Sequence, residues 1–195
     1  NMAVLREPDH TYLIDGGVFE SVTTLIRKDP AFTFDEAAVA ARKAGKTGIE
    51  AEVFLAQWAA ARDEGLRIRS EIELMVETGI PSKHRGVAEL VAQLKLRGEV
   101  LSGRVLWGSG VAGSVGALVI RPDGSVELYG AKTMDSNPHA GDYYETYKAE
   151  AHRVQMLAYA RMLEGAGITV SGTYIIPVDR AKEALYRRGD GYSVI

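Results

Sequence analysis

The sequence predicts an α/β fold in which a mixed β-sheet is flanked by helices, and three observations carry that prediction. Apolar residues recur at helical spacing through much of the stretch from Phe34 to Arg97. From Val100 to Lys132 the pattern changes to short β-branched and apolar runs separated by turn signals. A second helical stretch and a last β-branched run come after them, so helices both precede and interrupt the strands.

Taken in order, His10 to Ser21 reads as a hairpin about Asp15-Gly16-Gly17, and Ser21 is placed to cap a helical turn over Val22 to Ile26. Phe34 to Ala44 is alanine-rich and helical, with Asp35 near its start and Gly45 just past its end. Two further helices are expected at Gly48 to Asp63 and Glu64 to Thr78, the second with Ile68, Ile72 and Met75 as its buried face. Ser82 to Arg97 gives another, with Val87, Leu90, Val91 and Leu94 as its stripe. Three strands are then expected, at Val100 to Trp107, Val111 to Ile120 and Val126 to Lys132. A polar loop through Asp135 and Gly141 leads to a long helix from Tyr143 to Glu164, and Ile168 to Ile176 forms the last strand. The basic tail from Arg180 to Arg188 carries no clear structural signal.

The bounds agree with one soluble domain. Asn1 precedes Met2 and reads as an added residue, so of the 195 residues 2–195 are expected to form a single domain. The absence of cysteine excludes disulfides and thiolate chemistry and suits a reducing, cytoplasmic setting. No apolar run is long enough to span a bilayer, so no membrane partner is expected. The net charge of −3, with basic residues scattered among acids, argues against nonspecific nucleic-acid binding over the whole surface but leaves room for a local basic groove.

The hairpin at the centre of the strand region can be read more closely. Pro122-Asp123-Gly124 suits a type I turn closed by a glycine bulge, which sets Arg121 opposite Ser125 and Gly116 opposite Gly130. Opposed residues share a sheet face, and Lys132, two residues further along, joins them there.

Several short motifs accompany this hairpin. His10-Thr11-Tyr12 and Ser21-Val22-Thr23 open the chain; Gly65, Arg69 and Glu73 succeed each other at four-residue steps on a helix; Glu99 precedes the first core strand. Gly113-Ser114-Val115-Gly116 and Leu128-Tyr129-Gly130-Ala131-Lys132-Thr133 form the hairpin, and Gln155 and Tyr159 lie one turn apart on the long helix, with His152 a turn before. In this order and spacing the chain resembles the PD-(D/E)XK nuclease superfamily, in particular its RecB-like and phage exonuclease branch.

The resemblance implies a restriction-endonuclease-like core and a site that hydrolyses phosphodiesters with Mg²⁺ or Mn²⁺ held by carboxylates. It puts the two metal-binding acids at positions 116 and 130 and the water-activating lysine at Lys132. It also points to Arg69, Thr133, Gln155 and Tyr159 as nucleic-acid-facing positions. Arg69 stands where the family carries a histidine. Gly116 and Gly130 offer a hard cation no side-chain oxygen, so Lys132 is expected to be vestigial and no metal cofactor is expected.

Strand glycines also mark bulges or close packing, and that reading of Gly116 and Gly130 is compatible with a lost site. Arg69 and Glu73 also fit a simple i,i+4 surface pair. The resulting expectation is a catalytically degenerate nuclease-like protein that binds DNA or a protein partner. The alternative is an active exonuclease whose acids have migrated to Glu71, Glu73, Glu99, Glu127 or Asp135, with Mg²⁺ or Mn²⁺ bound there. Glu127 is poorly placed for it, because odd spacing turns it to the strand face opposite Lys132.

Overall fold

Positive φ at Asp15 (48°) and Gly16 (82°) makes a tight turn between strands β2 (Thr11–Ile14) and β3 (Gly17–Ser21), and β1 (Ala3–Arg6) pairs with the outer side of β2. The computed structural model describes residues 3–6, 10–134 and 147–186. Ser21 ends β3 and caps helix α1 (Val22–Lys28), its hydroxyl accepting from Thr24 N at 3.4 Å.

Asp35 caps α2 (Glu36–Thr47) by accepting from Ala38 N at 3.0 Å, and Gly48 closes that helix in the left-handed region. The next helix, α3 (Ala51–Thr78), is continuous where two were expected. Asp63-Glu64-Gly65 suggests a break, but it contains no proline, and Gly65 stays helical where a neighbouring strand passes close. Helix α4 (Arg85–Arg97) starts later than Ser82 because His84 supplies the cap, Nδ1 accepting from Val87 N at 3.2 Å.

The strand region is a bent hairpin. One arm comprises β4 (Glu99–Ser102) and β5 (Val105–Gly108), the other β6 (Val111–Ser114) and β7 (Ala117–Ile120). The two arms keep one antiparallel register throughout: Val105 faces Ser114, and Ser102 faces Ala117. At the bend the hairpin passes from one sheet to another, so the two strands expected there are four.

Strand β8 (Val126–Met134) pairs antiparallel with β7 and parallel with β9 (Val170–Asp179), reached through helix α5 (Tyr147–Gly165). A short β10 (Ala184–Leu185) finishes that edge. The sheets are therefore two, β1-β2-β3-β6-β5 and β10-β9-β8-β7-β4. Both are mixed and helix-flanked, as the α/β prediction required, but the single sheet is corrected to a pair joined by one hairpin.

The second sheet is covered on both faces. On one, Ile68 and Ile72 of α3 and Leu90 and Leu94 of α4 pack with Tyr129 and Ile176. On the other, Met156, Tyr159 and Leu163 of α5 pack with Val115, Leu128 and Ile175. Each such aliphatic side chain, removed almost wholly from water, contributes roughly 2 kcal/mol.

Candidate functional site

The Pro122-Asp123-Gly124 turn adopts the expected geometry. Gly124 has φ of 81°, its N–H donates to Arg121 O at 2.9 Å, and Arg121 N donates to Ser125 O at 2.8 Å. The resulting register, Ala117 against Tyr129, sets Gly116 opposite Gly130. A Cβ on Gly116 would lie 3.2 Å from Tyr129 O and 3.9 Å from Ala131 N, on either side of Gly130. The other arm continues the row. Gly103, in the left-handed region at φ 59°, occupies the register position opposite Gly116. Three glycines thus cross three neighbouring strands at the bend.

Strand pleating sends alternate residues of β8 to alternate faces. Gly130 and Lys132 face α5. Lys132 Nζ donates to Gln155 Oε1 at 3.0 Å, and Gln155 Nε2 donates to Thr23 Oγ1 at 3.0 Å, so one amide links β8, α5 and α1. Burial, and secondly the Arg69 charge, pull the lysine ammonium down to about 8. His152, one turn away on α5, is held neutral down to about 3 by burial and then by Lys132 and Lys148. Tyr159 lays its ring against Gly113, where a Cβ would lie 2.5 Å from the ring edge; burial pushes its hydroxyl up to about 12.

Arg69 reaches the same neighbourhood from α3. Its guanidinium donates to Glu73 Oε1 at 2.9 Å and to the Ser114 hydroxyl of β6. The i,i+4 pair expected from the sequence therefore exists, and it also ties the helix to the hairpin. Thr133 is elsewhere. It lies on the α3 face, its Oγ1 3.5 Å from where a Gly65 Cβ would be, so the pleat separates it from Lys132 and it does not belong to this cluster.

The place for an acid at position 130 is filled. A Cβ there would lie 3.2 Å from Met156 Sδ and 3.3 Å from Ile175 Cδ1, and Met156 is only 2% exposed. A thioether and a methyl group are poor company for a hard divalent cation, which seeks several oxygens. These residues do not fit Mg²⁺ or Mn²⁺, and among the described residues no group of three or more His, Asp or Glu side chains could hold a metal ion.

The acids named as alternatives are dispersed. Glu71 is engaged by Arg67 and Ser82. Glu99 is the exposed first residue of β4. Glu127 faces α4, accepting two hydrogen bonds from Arg97 at 2.9 and 2.8 Å and one from the Tyr129 hydroxyl at 2.8 Å; foremost through Arg97, its carboxyl is held below the usual range. Glu73 comes nearest the glycine row, its carboxyl carbon 3.2 Å from a Cβ placed on Gly103, but Arg69 already claims it. Asp135 lies outside the described residues.

Two participants escaped the sequence reading. Thr23 was visible only as part of the Ser-Val-Thr motif. Met156 sits beside Gln155 in an ordinary apolar stripe, and only the roll of α5 against β8 aims it at Gly130. No family profile, curated protein or solved structure matches the chain. Among the described residues no helix is long and apolar enough to cross a membrane.

Proposed function

We propose that this chain is a catalytically silent PD-(D/E)XK nuclease-like protein of the RecB-like and phage exonuclease type, which uses the cluster around Lys132 to bind DNA. The observation that carries this reading is Met156. Its side chain occupies the space beside Gly130, and among the described residues the sheet face that keeps Lys132 and Gln155 has no carboxylate beside them. Arg69 and Lys132 lie close enough for one charge to depress the other, and a phosphate drawn between them would relieve that repulsion.

The test is a cleavage assay on single- and double-stranded DNA with Mg²⁺ or Mn²⁺, run beside a salt-titrated binding assay. The expected result is no cleavage, with binding that weakens as salt rises and weakens further in the Arg69→Ala, Lys132→Ala double variant. Cleavage that Lys132→Ala abolishes would overturn the silent site. Absence of salt-dependent binding would overturn DNA as the partner. The Gly116→Asp, Gly130→Asp double variant is expected to stay inactive while Met156 is present, because the second carboxylate has no room to turn toward a metal.

A further inference from the structure

Helices α2 and α3 splay around an open cleft of about 650 Å³ whose walls include Lys43, Phe54, Trp58, Glu64 and Arg180. Trp58 is the centre of an aromatic group: the Phe34 ring meets it edge-on at 5.5 Å, and the Phe54 ring lies 6.4 Å away at a tilt. Lys43 Nζ stands 5.6 Å from the Phe54 centroid and 5.5 Å from that of Trp58. Glu64 is the acid in this wall, and Arg67 neutralises it through contacts at 2.8 and 2.6 Å. The cleft therefore sets aromatic rings beside two cationic side chains, Lys43 and Arg180.

Its position connects it to the Lys132 cluster. Arg180 N donates to Met134 O at 3.2 Å, which fixes the Arg180 side of the cleft two residues beyond Lys132 on β8. On the α5 side, Lys148 Nζ stands 5.9 Å over the Phe34 ring, and its charge is felt at His152, the neighbour of Lys132. The Trp58 group is thus linked to α5 through Phe34 and Lys148. Aromatic platforms flanked by cations suit unpaired bases joined by phosphates; bases stacked inside a duplex present no free face to such a platform.

We propose that this cleft seats an unpaired base of single-stranded DNA, stacked on Trp58, with its phosphates drawn to Lys43 and Arg180. The proposal rests on the DNA-binding reading above and deepens it by naming the form of DNA.

The full chain is titrated, by fluorescence anisotropy, against a labelled oligothymidylate of about ten nucleotides and against a blunt duplex of about twenty base pairs. Trp58→Leu is expected to weaken oligothymidylate binding about tenfold or more, and Trp58→Phe by less than about threefold, with duplex binding unchanged. Lys43→Glu, on the exposed side of α2, should cost about fivefold for the oligothymidylate and serves if Trp58→Leu loses its folded circular-dichroism spectrum. Oligothymidylate binding that neither Trp58→Leu nor Lys43→Glu weakens overturns this inference and leaves the parent reading standing, as does wild-type binding confined to duplex. Failure of the wild type to bind either DNA overturns both.

Discussion

The two faces of β8 treat charge in opposite ways. On the α4 face, Glu127 is almost fully buried yet completely served: Arg97 grips it with two hydrogen bonds, Tyr129 donates a third, and Arg121 adds a contact at 3.4 Å. On the α5 face, Lys132 is half-buried with a neutral amide for its hydrogen bond and, among the described residues, no carboxylate beside it. A paired buried charge fixes structure, whereas one left with a neutral partner is costly to keep and available to a ligand. The difference gives the structural work of this sheet to Glu127, and the proposed DNA binding falls on the face of Lys132.

The largest test of that contrast is Glu127→Ala. It leaves Arg97 and Arg121 facing each other beside two stacked tyrosine rings, and is expected to cost about 3 kcal/mol in urea denaturation, the low end for a broken buried pair because both arginines keep contact with water. Lys132→Ala should cost less than about 1 kcal/mol. Equal losses would dissolve the distinction between the faces.

A smaller effect is expected from Gly130→Asp, which must displace Met156 and Ile175 and should cost about 1–3 kcal/mol by overpacking. Adding Met156→Ala should recover part of that loss in the melting temperature; no recovery would mean that Met156 is not what fills the site.

The subtlest test is pH. Between about 8 and 10.5 the unfolded chain keeps the Lys132 proton that the folded chain has released, so stability should rise with pH across that window. Lys132→Met should flatten the rise. Glu127 acts in the reverse range: its carboxyl is depressed on folding, so the stability it contributes is present above the ordinary carboxylate pKa and fades as pH falls.

Much of this was legible in the chain. The Pro-Asp-Gly turn admits few geometries, and its three-residue form set the register that is observed, Ala117 against Tyr129, which carried on places Gly116 against Gly130. The parity that excluded Glu127 from the face of Lys132 held as well. The same parity excludes Thr133, which adjoins Lys132 in the motif but lies on the opposite face of the strand. The bend at Gly103 and Gly116 was signalled only by strand glycines, because Val111 to Ile120 otherwise reads as one stretch of small and apolar residues without a turn motif. The continuity of α3 was hidden because glycine next to acids resembles a helix end. Met156 had no signal at all, since an apolar residue on an apolar stripe does not announce which neighbour it covers.

The bent hairpin has a mechanical meaning too. Each of its arms contributes a strand to both sheets, so the joint between them includes two backbone segments and their ladder as well as the side chains of Leu106 and Val111 packed on the core of the second sheet. Opening one sheet must therefore pull on the other, and the chain is expected to lose both in a single cooperative step instead of shedding the β1-β2-β3 edge as a separate unit.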